Sequence, residues 1–244
     1  HTQDETAIAN FLLKNLEKGA AVNFGRPFAP AIELQLEAMK TRLKAAARVQ
    51  AIEAQKGWRI LAVETGLTKK DAVPFPVGPL ALTGTIDRIE INSDERRLRV
   101  LDYKTFQNAK TPAQTHWKTK REQPGIPEAE IQIAGKTRFW SDLQLPLYSR
   151  IVRHLYPEYN DFEVEVGYFL LPAKTDETRI EVLPLTDEIL DSATRCAAAI
   201  ASAVQSGVFW PPAQKAEFDP FASWFQHAPP EQALSPSTIQ ALQG

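Results

Sequence analysis

The sequence predicts a mixed α/β (α+β) fold, helical at its start and built on strands through its middle. Three observations lead there. Apolar residues recur at helical spacing through the first 55 residues. Short β-like runs separated by a turn fill residues 58–104. A helix, a hairpin and a second helix can then be read between residues 141 and 206.

The opening reads as two helices. Over residues 4–17, Ile8, Phe11, Leu12 and Leu16 fall on one stripe, and Gly19 is the expected stop. A loop with Gly25, Pro27 and Pro30 follows. Over residues 31–55, Ile32, Leu36, Met39 and Leu43 recur at helical spacing, Ala45, Ala46 and Ala47 allow close packing, and Gly57 ends the helix.

The pattern then changes to strands. Residues 58–65 are short, apolar and β-like, and residues 80–91 read as one strand with Gly84 as a bulge or point of close approach. Asn92-Ser93-Asp94-Glu95 is a turn and residues 97–104 the next strand, which together predict an antiparallel meander. Residues 105–140 are polar, carry several Lys and Arg and show no clear periodicity, the signature of a functional or partly disordered segment. Residues 141–156 read as a helix opened by Ser141 and Gln144 in a capping-box pattern, with Pro146 tolerable only near the first turn. A hairpin at residues 162–171 and 179–185 and an alanine-rich helix at 187–206, stopped by Gly207, complete the pattern. From residue 229 the chain is rich in Pro, Ser and Gln and reads as a flexible tail. The expected organisation is one domain over residues 1–228, with a helical N-terminal part over about 1–57, and a tail over 229–244.

Composition narrows the function class. With 28 Lys plus Arg against 30 Asp plus Glu, the net charge is -2, which excludes a generally basic nucleic-acid-coating protein but not a local basic channel. The lone cysteine, Cys196, excludes an internal disulfide, a zinc knuckle and a cysteine-ligated iron–sulfur cluster, and fits a reducing, cytoplasmic location. No run of about 18 apolar residues exists for a membrane span, and no signal-peptide pattern opens the chain. The chain begins on His1, so it reads as a fragment, a processed chain or a trimmed piece.

Three acids lie at or near strand ends: Glu64, Asp87 and Asp102. Asp102 and Lys104 are two apart on one predicted strand and share a face with Leu98 and Val100, which should point to a core. Charges there need partners, and a Mg²⁺ held by two or three carboxylates would supply one. Lys104 beside it would orient or deprotonate a water, or steady a phosphate oxygen. Taken alone, the same pair also reads as a surface ion pair. Gln144 and Tyr148 are four apart on one helical face near a helix N-terminus, a setting for a phosphate or a base, or equally a capped amphipathic helix.

In combination these residues resemble a family. Gly84-Thr85-Ile86-Asp87-Arg88-Ile89, Leu101-Asp102-Tyr103-Lys104-Thr105 and Gln144-Leu145-Pro146-Leu147-Tyr148 resemble, in order and spacing, the successive motifs of the RecB-like branch of the PD-(D/E)XK nucleases. The resemblance spans about residues 30–225 and implies a restriction-endonuclease-like core, a central mixed β-sheet flanked by helices. It implies Asp87 and Asp102 as ligands of Mg²⁺ or Mn²⁺ and Lys104 as the catalytic lysine. Glu64 would be the preceding acid that assists metal or water binding. The Tyr103 carbonyl would be a further metal ligand, and Gln144 and Tyr148 would line the DNA site.

Two departures stand out. The N-terminal helix histidine common in RecB-like enzymes is missing from the first helix, so it lies upstream or is absent. The four cysteines of an iron–sulfur staple are also missing, which leaves Cys196 as a packed core thiol and Phe209, Trp210 and Phe218 as apolar fasteners of the C-terminal segment.

With the family in view, Lys110, Lys118, Lys120, Arg121, Lys136 and Arg138, interleaved with His116, Trp117, Phe139 and Trp140, suit a single strand; an ordinary solvated insertion is the alternative. Arg88 would neutralise phosphate or pair with a nearby acid. His116 and His154 read as solvated or capping histidines. The implied function is a Mg²⁺- or Mn²⁺-dependent DNase that processes DNA ends in recombinational repair, with a helicase region or subunit as partner. The alternatives are an inactive DNA-binding or scaffold module, and an RNase or structure-specific endonuclease of the same fold.

Overall fold

A computed structural model of the chain describes residues 2–67, 75–108, 110–120, 125–208 and 237. Arg121, the apolar residues Phe209, Trp210 and Phe218, and the expected tail, Ser237 apart, lie outside the described residues.

Helix α1 (Glu5–Phe24) starts where Asp4 accepts hydrogen bonds from the Thr6 and Ala7 amides. It runs through Gly19, the expected stop, and ends at Gly25, whose φ of 70° suits glycine. A mid-helix glycine costs about 1 kcal/mol, and Ala20, buried just beyond it, lies on the continued helix. Helix α2 (Pro30–Gln55) packs against α1, with Lys40 paired to Glu17 at 3.3 Å. Ala45, Ala46, Ala47 and Ala51 are its buried small residues, and Ala46 packs with Leu101, Phe169 and Leu171 of the sheet and its edge.

The central sheet has strand order β1 (Arg59–Gly66), β4 (Thr85–Asn92), β5 (Arg97–Lys104), β9 (Glu163–Leu170) and β10 (Arg179–Leu183). Neighbours pair antiparallel except β5 and β9, which are parallel. This is the expected mixed sheet flanked by helices: the meander and the hairpin of the sequence reading join through that one parallel pair. One expectation fails at residues 80–91. The run divides, with β2 (Phe75–Val77) and β3 (Leu80–Leu82) forming a hairpin of their own before β4 enters the main sheet. The break falls at Thr83 and Gly84, where the Gly84 carbonyl accepts from the Leu67 amide at 2.8 Å.

Strand alternation gives the sheet two chemically different faces. Ile89, Leu98, Val100, Val166, Tyr168 and Leu170 form the main core with α4 (Gln144–Leu155) and α5 (Asp187–Gln205), through Leu145, Tyr148, Ile151, Val152, Ala197 and Ala201. The α2 face carries a buried ionic cluster instead. Arg99 reaches Glu90 and Glu53, each at 2.6 Å, Arg88 pairs with Glu90, and the Arg99 guanidinium lies 4.1 Å from the Trp58 ring centroid. These charges tie α2 to β4 and β5.

Residues 105–140, expected to be irregular, hold helix α3 (Pro112–His116) and a three-stranded antiparallel sheet of β6 (Trp117–Lys118), β8 (Lys136–Trp140) and β7 (Glu130–Ile133). Strands of two to five residues are too short to show periodicity in sequence. Ile131 and Trp140 pack on Ala193 and the buried Cys196 of α5, and Trp140 Nε1 donates to Ser192 Oγ at 3.1 Å. Cys196 is a packed core thiol, and burial pushes its pKa up to about 11. No described helix is long and apolar enough to cross a membrane.

Candidate active site

The β4–β5 register runs to Arg88 opposite Leu101, so the next step sets Asp87 level with Asp102. Alternation places both acids and Lys104 on the α4 face, as the sequence predicts for Asp102 and Lys104. Asp87 Oδ2 accepts from the Tyr103 amide at 2.9 Å. Asp102 is 5% exposed. Its Oδ1 accepts from Gln144 Nε2 at 2.9 Å, and its Oδ2 lies 2.7 Å from Lys104 Nζ. Gln144 Nε2 also donates to the Tyr148 hydroxyl at 3.1 Å, and that hydroxyl donates to the Thr85 carbonyl at 2.7 Å. Asp87, Asp102, Lys104, Gln144 and Tyr148 are thus gathered from two strands and one helix.

The electrostatics of this cluster follow from burial. Burial raises the Asp102 pKa above the usual carboxylate value and Asp87 adds to the rise, against Lys104 and Gln144. Burial also raises the Tyr148 phenol, with the negative charge of Asp102 and Asp87 adding to it and the Gln144 hydrogen bond opposing. Although Lys104 is close, Asp102 Oδ2 is buried and receives no correctly directed hydrogen bond. Two near carboxylates, one with a lone pair unused, fit a hard divalent cation. No cluster of three or more His, Cys, Asp or Glu suited to a metal forms among the described residues. Glu64 falls between the pairs Val63–Arg88 and Thr65–Ile86, level with Asp87; it sits within β1 at a φ of 48°, and its side chain is exposed.

Arg88 takes one of its two expected roles, pairing with a nearby acid. It is 2% exposed and lies on the α2 face, with Nη1 bonded to Gln50 Oε1 at 2.6 Å and to the Tyr103 hydroxyl at 3.2 Å, and its other arm on Glu90. It is next to Asp87 in sequence and therefore on the opposite face, a consequence of alternation that was readable beforehand. Lys118 is half-buried in β6 and Lys120 is exposed.

The entry to α4 also differs. The helix begins at Gln144, and Ser141 Oγ donates to the Thr115 carbonyl at 2.6 Å instead of capping. Pro146 explains this. With Ser141 as cap, Pro146 would sit in the second turn, where its missing N–H breaks the helix ladder; starting at Gln144 puts it in the first turn. Asp142 Oδ1 takes over by accepting from the Gln144 amide at 2.7 Å.

Three residues here escaped the sequence reading or were misjudged. His116, expected solvated or capping, is 0% exposed, and Asp142 and Tyr168 border the same space. One signal was available: Thr111-Pro112-Ala113-Gln114 is a capping box with proline at the first position, which announces the short helix that ends in His116.

A family model described as the PD-(D/E)XK nuclease superfamily matches residues 2–218. The chain belongs to the PD-(D/E)XK nuclease superfamily. Asp102-Tyr103-Lys104 reads as D-x-K, the pattern in the superfamily's name, and Asp87 lies level with Asp102 on the neighbouring strand. Members of this nuclease superfamily generally use a divalent metal such as Mg²⁺ or Mn²⁺, in keeping with the fit of the two carboxylates. No curated protein sequence matches the chain significantly.

Proposed function

We propose that this protein is a Mg²⁺- or Mn²⁺-dependent deoxyribonuclease of RecB-like type. It would process DNA ends as an exonuclease in recombinational repair, in the cytoplasm, together with a helicase region or subunit. The observation that carries the reading is the pairing of Asp102 with Lys104 at 2.7 Å beside Asp87, in a chain of this superfamily.

Asp87 and Asp102 would hold the cation, with the Tyr103 carbonyl as a further oxygen donor; the Tyr103 phenol is engaged by Arg88 on the far face. When bound, the cation offsets the acids and offers Lewis-acid stabilisation of charge on the phosphate. Lys104 presents an ammonium where an attacking water or a phosphate oxygen would lie, and Gln144 fixes the Asp102 carboxylate from α4. Lys118 and Lys120 would neutralise phosphates of the incoming strand.

Purified protein should degrade linear DNA with Mg²⁺ or Mn²⁺ and lose that activity in Asp102→Ala and Lys104→Ala. Absence of cleavage of single- or double-stranded DNA under every divalent metal tried would overturn it. A second reading, a DNA-binding or scaffold module without activity, draws on Glu64 standing outside any three-acid cluster. Calorimetry with Mn²⁺ separates the two, because a dead module should bind no metal that Asp87→Ala removes.

A further inference from the structure

His116 is fully buried, and neither ring nitrogen has a hydrogen-bond partner. An unpaired polar group inside a protein is costly, so its position calls for an explanation. Two chains of contact lead from it to the site. The first passes through Tyr168. The two ring centroids are 5.8 Å apart at 60°, and Lys104 Nζ lies 4.9 Å from the Tyr168 ring centroid. Tyr168 is also the β9 partner of Asp102 in the parallel register. The second passes through Asp142. His116 Nδ1 is 3.6 Å from Asp142 Oδ2, Asp142 Oδ1 accepts from the Gln144 amide at 2.7 Å, and Gln144 Nε2 donates to Asp102 at 2.9 Å. The backbone reinforces this second chain: the His116 carbonyl accepts from the Ser141 amide at 2.9 Å.

We propose that His116 is a positioning residue that supports both arms of the site, Lys104 through the Tyr168 ring and Asp102 through Asp142 and Gln144. The inference rests on the nuclease reading of that site. The charged groups facing the imidazole are Asp142 at the entry to α4 and Lys104 on β5. Burial and the Lys104 charge hold the ring neutral, against Asp142. A neutral ring can sit behind the lysine without repelling it, and it leaves the Asp142 charge to the α4 amide. The 3.6 Å gap to Asp142 is too long for a hydrogen bond, and such contacts commonly tighten when substrate binds.

The test compares His116→Leu, which keeps volume and removes both nitrogens, with His116→Gln, which restores a donor and an acceptor. Five quantities are read: kcat and KM on linear DNA with Mn²⁺; affinity for a fluorescein-labelled single strand in metal-free buffer; amide exchange of Gln144, Leu145, Leu147 and Tyr148 in metal-free protein; and the unfolding midpoint. The expected result for His116→Leu is a fall in kcat of about tenfold or more, since small misplacement of reacting groups costs up to about a hundredfold. KM and strand affinity should stay within about twofold, exchange at the start of α4 should quicken about tenfold, and His116→Gln should recover most of both losses. Wild-type kcat in His116→Leu, a change in KM alone, or His116→Gln matching His116→Leu would each overturn the proposal. If the wild-type protein cleaves nothing, the nuclease reading falls separately. The exchange comparison then decides on its own, and unchanged exchange rejects the positioning role.

Discussion

Gln144 donates to Asp102 Oδ1 at 2.9 Å, across the interface between the α4 helix and the β5 strand. One side chain thus couples a helix N-terminus to the most buried acid of the site. The same amide nitrogen holds Tyr148, so the helix approaches the sheet through a polar relay laid over an apolar core.

Replacing Gln144 by Ala should therefore weaken the site without unfolding the protein. A hydrogen bond to a charged group contributes about 1.5–3 kcal/mol, which corresponds to a fall of roughly 10- to 100-fold in the cleavage rate if the loss is felt in the transition state. Gln144→Glu should be worse, because it sets a second carboxylate against Asp102. Single-turnover rates on linear DNA with Mn²⁺ check the order wild type, Ala, Glu.

Arg88 should behave as a stability residue. Arg88→Met leaves Glu90 buried with Arg99 as its remaining cation, and breaking a buried pair costs about 3–5 kcal/mol. Denaturant unfolding should show this loss, while affinity for a labelled DNA strand per folded molecule stays unchanged. A normal unfolding midpoint with weakened DNA binding would instead favour the phosphate role, the alternative to the acid pairing.

His116 should make the fold sensitive to acid. Burial lowers its pKa from 6.5 to about 4, with Lys104 adding to the depression and Asp142 opposing it. The unfolded chain takes up the proton first as pH falls, so the contribution is fully present above about 6.5 and is lost progressively toward 4. The slope should amount to up to ~3 kcal/mol over that window. Urea unfolding at a series of pH values should show it, and His116→Gln should flatten it.

Gly167 should tolerate no side chain. A Cβ there would come within 2.3 Å of the Glu181 carbonyl oxygen and 2.9 Å of Val182 Cα, both backbone atoms of β10. Gly167→Ala must push β10 away from β9, at a cost of about 1–3 kcal/mol or more. A lower thermal midpoint is the expected outcome; an unchanged midpoint would mean the edge strand shifts freely.

Much of this was legible in the chain because it is local. The β5 strand over residues 97–104 and the α5 helix match their sequence boundaries within a residue. The shared face of Asp102 and Lys104 follows from a period of two. The same period already put Arg88 on the other side, and only its proximity to Asp87 in sequence suggested a common task. The short strands of residues 117–140 carry no such signal, and the proline that moved the start of α4 could be weighed only against the helix register.

By itself, then, the sequence determined the main elements and the face of β5 that Asp102 and Lys104 share, since propensity, alternation and helical spacing act over a few residues. The tertiary structure decided which of them meet. Asp87 lies level with Asp102 because β4 and β5 pair in one register, and Glu64, within β1 at a φ of 48°, leaves its side chain exposed. His116, forgettable in the sequence, is sealed behind Lys104 because α3 and β9 are brought together across 52 residues of chain. Such contacts depend on how whole elements pack, and no local pattern encodes them.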